Sequence, residues 1–234
     1  MSLPRTVRER VRGQMRAEIL DAARKQMAKD GAAGLSLRSI ARDLGMAPSA
    51  LYRYFGGRDD LLTALILGSY ASLAAEAERA EGAAAEQGGT DAERFLAVPR
   101  AIRRWALGHP HQWALVFGTP VPGYHAPEDT VLLYTRVAAA LLRPVADAAA
   151  AGRIRADDGG RPVSEALRDA VVPVSAALLP DLPAGTVVRA VEAWTGVVGA
   201  ISLEVFGHWR KTILDPEEFF DATVRDAADS LGLV

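Results

Sequence analysis

Arg38, Ser49, Tyr52, Arg53 and Tyr54 gather guanidinium, hydroxyl and phenol groups into one short stretch of the chain. Such groups donate hydrogen bonds to phosphates and to base edges, so their natural partner is a polyanion. The charge distribution points the same way. Residues 1–60 carry twelve basic and seven acidic side chains, a net +5, against −7 over the remaining 174 residues and −2 overall. A basic end on an acidic chain is what a polyanion-binding module joined to a different module shows. An arginine-rich tail that only solubilises gives the same arithmetic.

Catalytic chemistry finds little support. His109 and His111 are two apart across Pro110, and His125 and His208 stand alone, so no pair has the i, i+3 or i+4 spacing that puts two ligands on one helical face. The absence of cysteine removes thiolate metal sites, disulfides and thiol catalysis. No nucleophile elbow, phosphate-cradling loop or dinucleotide fingerprint is present. The expectation is a protein with no catalytic residues, no metal and no cofactor.

The donors must be held by helices. Ile19, Leu20, Ala23, Met27 and Ala28 recur at three- and four-residue spacing and define a first helix that stops at Gly31. Ser36 stands as an N-cap before Leu37, Ile40, Ala41 and Leu44, and Gly45 ends that second helix. Pro48 suits the first turn of a third, with Leu51, Tyr52 and Phe55 on one face before Gly56-Gly57. Arg58 to about Glu81 reads as a fourth, opened by Asp59 and Asp60 at the positive end of its dipole, a capping role preferred to a metal role. The second and third helices, joined by a glycine turn and with small Ala41 at their approach, form a helix-turn-helix, which sets its second helix in a major groove. An ordinary corner between two helices has the same pattern; coincidence with the basic end favours DNA.

Beyond an alanine- and glycine-rich stretch, Gly82–Gly89, that reads as a linker, the helical pattern resumes. Thr90-Asp91-Ala92-Glu93 is a capping box opening a helix through Trp105, and Pro110 begins a short one through Phe117. A proline- and glycine-rich loop follows. Further helices are expected from Pro127 to about Ala151 with a kink at Pro144, over Arg161–Leu178, over Thr186–Trp209 and from Pro216. The fold class is all-α, with nine or ten helices: a flexible basic arm over 1–15, a helix-turn-helix domain over 16–60 and a larger helical domain over 61–234. At 234 residues and 50% hydrophobic content a sizeable core is affordable and disorder is excluded. The N-terminus lacks the apolar core of a secretory signal, and Ala193–Leu203, the longest weakly charged stretch, falls short of the ~18 residues that span a bilayer. No membrane partner and a cytoplasmic location are expected.

The segment Leu35-Ser36-Leu37-Arg38-Ser39-Ile40-Ala41, followed by Leu51-Tyr52-Arg53-Tyr54-Phe55 and then Arg58 and acids before Leu61-Leu62, resembles the DNA-binding signature of TetR-type transcriptional regulators over about residues 16–65. The later segments H-P-H-Q-W-A-L-V-F-G-T-P-V-P-G-Y and W-T-G-V-V-G-A-I-S-L-E-V-F-G-H-W are similar to a TetR-type ligand-binding domain with a tryptophan, histidine and glycine signature. The resemblance implies a DNA site made of Ser36, Arg38, Pro48, Ser49, Tyr52, Arg53, Tyr54 and Arg58. Within it Arg38, Ser49 and Arg53 would meet base edges, and Tyr52, Tyr54 and Arg58 would meet phosphates. The family often has lysine at Arg58 and Ser or Thr at Ala50; the second departure loses one hydrogen bond. Arginines of the basic arm could follow the backbone or enter a minor groove, or remain solvated.

The resemblance further implies a homodimer on an inverted-repeat operator, built by the helices Arg161–Leu178 and Thr186–Trp209. Ala166, Ala170, Val174, Gly196, Gly199, Ala200 and Leu203 would form its interface; the same small residues could instead pack within one subunit. Trp105, Trp113, Phe117, Tyr124, Tyr134, Trp194 and His208, with Arg103, Arg104, His125 and Glu204 nearby in sequence, would line a pocket for a hydrophobic or aromatic effector, although core packing accounts for several of them. The leading expectation is a ligand-released repressor. A helical small-molecule-binding protein without specific DNA binding, or an activator of the same fold, stays open beside it.

Overall fold

The computed structural model describes residues 7–154, 163–180 and 182–233. Among these residues there are eleven α-helices and no strand. They sort into two compact units: residues 1–69 with 111–130, and residues 70–110 with 131–234.

The first unit holds α1 (Val7–Asp30), a 3-10 turn (Ala32–Gly34), α2 (Leu37–Asp43), α3 (Pro48–Leu51), the opening of α4 (Arg58–Glu86) and nearly all of α6 (Pro110–Phe117). Its core is built from Ile19 and Ala23 of α1, Leu37, Ile40 and Ala41 of α2, Leu51 and Phe55 around α3, and Leu61, Leu62 and Leu65 of α4. These are the apolar positions at helical spacing, brought together because each helix offers a single stripe. Leu115, Val121 and Tyr124 pack onto the same core from the α6 segment.

The second unit holds the rest of α4, α5 (Asp91–Gly108), α7 (Asp129–Ala150), α8 (Glu165–Ala170), α9 (Val172–Leu178), α10 (Ala184–Val205) and α11 (Pro216–Ser230). Phe95, Val98 and Ile102 of α5, Val137, Leu141 and Val145 of α7, Val197 and Ile201 of α10, and Phe220 and Val224 of α11 are buried. Helix α5 is also an electrostatic hub. Arg94 bonds Glu81 of α4 and Asp147 of α7, Arg100 grips Asp221 of α11, and Arg103 grips Glu204 of α10.

Several boundaries depart from the sequence reading for identifiable reasons. Helix α4 runs to Glu86, so most of the expected linker is helical; the alanines at 83–85 outweigh the roughly 1 kcal/mol cost of Gly82. Residues 7–15 of the expected flexible arm are the first turns of α1, while Arg5 lies outside the described residues. The expected Arg161–Leu178 helix is two short ones separated at Val171, because Pro173 lacks an N–H and suits only a helix start; Arg161 lies outside the described residues. Helix α7 continues through Pro144. Helix α10 stops at Val205, four residues early: Gly207 adopts φ +78° and the His208 N–H returns to the Leu203 carbonyl at 2.8 Å, a Schellman closure. At 22 residues α10 is by length and composition apolar enough to cross a bilayer, contrary to the sequence expectation. Here one face of it packs against α5 and α11, tied by Glu204 to Arg103, while the other stays exposed at Gly199 and Leu203.

Candidate nucleic-acid interface

The reading edge is assembled by local chain chemistry. Ser36 caps α2, its Oγ accepting the Ser39 N–H at 3.4 Å while its own N–H donates to Gln26 of α1 at 3.1 Å. Helix α2 ends in a left-handed residue, Gly45 at φ +64°, with the Met46 N–H returned to the Ala41 carbonyl at 2.8 Å. A side chain at Gly45 would strain this turn, which sets the angle of the next helix. Pro48 then opens α3, where its missing N–H costs nothing.

Regular helix in α3 lasts four residues and tightens into a turn through Tyr54. Leu51 and Phe55 are buried, as their apolar character requires, and this leaves Pro48, Ser49, Tyr52 and Arg53 exposed. Arg38 is exposed on α2. Neither Arg38 nor Arg53 makes an ion pair or side-chain hydrogen bond with any described residue, so both guanidiniums present their donors to solvent. Tyr54 is half-buried and packs against the core. Arg58 is partly engaged: its Nη2 donates to the carbonyls of Ala32 and Ala33, each at 3.2 Å, bracing the 3-10 turn. Asp60 acts as a cap, accepting the Gly56 N–H at 3.0 Å.

Two partners of this edge carry no local sequence signal. Gln26 holds the Ser36 N–H, and Arg16 donates to the Tyr54 carbonyl at 2.9 Å with its guanidinium 4.1 Å from the centre of the Phe55 ring. Arg16 and Tyr54 lie 38 positions apart, beyond any helical periodicity.

The aromatic residues expected around an effector divide between the two units. Trp113, Phe117 and Tyr124 belong to the first: Trp113 is fully buried with its ring 4.2 Å from that of Phe117, and the Tyr124 hydroxyl meets Thr63 at 2.9 Å. Trp105, Tyr134 and Trp194 belong to the second. Trp105 donates to Ser72 at 3.0 Å and stacks on His109, while Trp194 donates to the Tyr134 hydroxyl at 2.7 Å. Tyr70 joins this last pair edge-on, 6.1 Å from Tyr134; burial, with a smaller contribution from Tyr134, pushes its phenol up to about 12. His208 is exposed in the turn after α10, and Arg103 and Glu204 are spent on each other.

Comparison with known proteins places this geometry. The family model for bacterial regulatory proteins of the tetR family matches residues 19–65, and the tetracyclin repressor-like C-terminal domain matches residues 95–227. The HTH-type transcriptional regulator Rv1816 of Mycobacterium tuberculosis is 42% identical over 227 residues, covering 93% of this chain and 92% of that protein. The chain belongs to the TetR family. Among solved structures, the regulatory protein SCO4313 is 36% identical with a TM-score of 0.76, covering 96% of this chain and all of the other. A protein from Rhodococcus sp. RHA1 is 27% identical with a TM-score of 0.64 over 93% of each chain.

As a TetR-family member the chain is a bacterial, DNA-binding and ligand-responsive transcriptional regulator. The first TetR match begins at Ile19, the first fully buried residue of α1, and ends at Leu65, the last α4 residue in the first unit's core. On α8 and α9, Ala166 and Ala170 are exposed and Val174 is half-buried. On α10, Gly199 and Leu203 are exposed, Gly196 is half-buried and Ala200 is turned into the unit. A Cβ at Gly196 or Gly199 would meet nothing within 4 Å, so no neighbour among the described residues requires glycine at either place.

Proposed function

We propose that this regulator is a repressor that binds an inverted-repeat duplex as a homodimer and leaves it when a hydrophobic or aromatic small molecule binds the second unit. The observation that carries the reading is the pair of guanidiniums, Arg38 and Arg53, unpartnered among the described residues and flanking a turn fixed by Gly45. Arg53, Arg38 and Ser49 reach base edges; a bidentate arginine contact supplies about 1–3 kcal/mol of discrimination. Tyr52, Tyr54 and Arg58, whose Nη1 lies 4.0 Å from an Asp59 carboxylate oxygen, hold phosphates, while Ser36 and Pro48 fix the helix starts.

A single helix-turn-helix reads half a site, so the homodimer supplies the other half. Gly196, Gly199 and Leu203 on α10, with Ala166, Ala170 and Val174 on α8 and α9, form the face through which two copies meet. The absence of any side-chain demand on Gly196 and Gly199 among the described residues supports this assignment. The effector is bound by the second unit's aromatics, Trp105, Tyr134 and Trp194, and shifts the equilibrium by its different affinity for the DNA-binding and released arrangements. In this reading the protein catalyses nothing and works in the cytoplasm.

An electrophoretic shift on the DNA flanking the protein's own gene, at stated salt, tests the reading. A retarded band whose mass corresponds to two chains per duplex supports it; no band at any salt where non-specific binding is also lost contradicts it.

A further inference from the structure

The α3 reading segment is too short to hold itself. Four residues of regular helix close few internal hydrogen bonds, and helices of this length have no independent stability. Leu51 and Phe55 anchor its inner side, but they leave the carbonyls at its C-terminal end without further helical donors. Arg16 supplies one. Its Nη1 donates to the Tyr54 carbonyl at 2.9 Å, and the carbon at the centre of the guanidinium lies 4.1 Å from the centre of the Phe55 ring.

A planar group held by its edge and by its face is fixed in orientation as well as in position. Its own base is firm, because Arg16 sits on α1 one turn before fully buried Ile19 and beside Met15, which packs on the core. The positive charge also falls at the carbonyl end of the segment, where the helix dipole favours it. The residues immediately before the clamped carbonyl are Tyr52 and Arg53, whose exposed side chains must keep their aim, the first for its phosphate and the second for its base.

We infer that Arg16 is a positioning residue for DNA reading, acting through the Tyr54 carbonyl and the Phe55 ring and not through its charge on a phosphate. The inference rests on the proposed reading role of Arg53. Arg16→Lys keeps the charge but loses the planar face and the fixed edge geometry; Arg16→Ala loses both.

The experiment uses the full chain and two duplexes of equal length, one recovered by selection with the wild-type protein and one of scrambled sequence. Both variants are expected to lose about tenfold in affinity for the selected duplex, the scale of one charge-assisted hydrogen bond. Arg16→Lys should keep wild-type affinity for the scrambled duplex and a salt slope within about half a unit of the original. Wild-type affinity of Arg16→Lys for the selected duplex overturns the inference. So does an equal loss on both duplexes from Arg16→Ala with the slope lowered by about one, since that is the signature of a phosphate contact.

Amide hydrogen exchange of the free protein provides a reading that needs no DNA. In Arg16→Lys the amides of residues 53–57 should exchange at least about fivefold faster while those of α4 keep their rates. Unchanged exchange overturns the inference. If selection returns no enriched duplex, DNA reading itself fails, and the exchange rates still decide whether Arg16 holds the segment.

Discussion

Arg103 and Glu204 close a two-pronged ion pair between α5 and α10, with Nε 2.7 Å from one carboxylate oxygen and Nη2 2.8 Å from the other. Only 13% and 12% of the two side chains remain exposed. The Glu204 carboxylate raises the guanidinium's affinity for its proton through the hydrogen bond, against the opposing effect of burial. The pair fastens the two helices. Glu204→Ala leaves the Arg103 charge buried without its counter-ion and should cost about 3 kcal/mol of unfolding free energy. Replacing both with apolar residues of similar volume should recover most of that loss. Urea titration of the two variants checks it.

At the reading edge, the two arginines Arg53 and Arg58 should behave differently. Arg53→Ala should relax base preference at one position of the bound duplex by about 1–3 kcal/mol. Arg58→Ala should weaken all duplexes about equally and flatten the salt slope by about one unit. Because Arg58 also bonds the Ala32 and Ala33 carbonyls, its loss should lower the thermal midpoint as well, whereas Arg53→Ala should leave it unchanged. Binding over a salt series, with a melting curve for each variant, separates the two roles.

Acid should loosen the α5–α11 contact. The hydrogen bond from Arg100 holds the Asp221 carboxyl below its ordinary value of 3.8, and the charges of Arg100 and Arg225 add to this against the cost of burial. A group whose folded value is depressed contributes stability above its unfolded value and loses it as pH falls through the folded one. Asp221→Asn should therefore be less stable than wild type at neutral pH, and the gap should narrow as pH drops below about 4. Urea midpoints measured between pH 7 and pH 3 would reveal the convergence; a constant gap would remove the assignment.

The elements that sequence alone makes legible are those fixed by local chemistry. Ser36, Gly45 and Pro48 determine where α2 ends and α3 begins, Thr90 and Glu93 form the expected capping box, and Leu51 and Phe55 point inward because their neighbours are polar. What stayed hidden depends on distance along the chain. The Arg16 clamp spans 38 residues and the Arg103–Glu204 pair spans 101, so neither leaves a periodic trace. The division of the aromatics follows from the same cause. Trp113 and Trp105 are eight positions apart, yet Pro110 ends one unit's segment and His111 begins the other's. The break at Pro173 does carry a local signal, a residue without an N–H, but the small and apolar positions Ala166, Ala170 and Val174 continue across it at helical spacing.

The turn after α10 should be sensitive to its backbone. Gly207 sits at φ +78°, so Gly207→Ala should cost about 1 kcal/mol, whereas Lys211→Gly at φ +67° should cost nothing or stabilise slightly. Thermal midpoints of the two variants, moving in opposite directions or with only the first moving, would bear this out.

Association should depend on the open face of α10. Leu203 is 45% exposed and its neighbour Phe206 is 43% exposed. Leu203→Glu should shift the sedimenting species from dimer to monomer, with the helical circular dichroism retained. A variant that remains dimeric at micromolar concentration removes Leu203 from the interface.

The most direct test of the central claim is selection of bound duplexes from a random-sequence library by the purified protein at fixed, moderate salt. Enrichment of an inverted repeat with half-sites about one helical turn or more apart is the expected result. Recovery of no sequence above the starting pool, under conditions where the protein is folded and free of bound small molecules, would contradict sequence-specific reading by this chain.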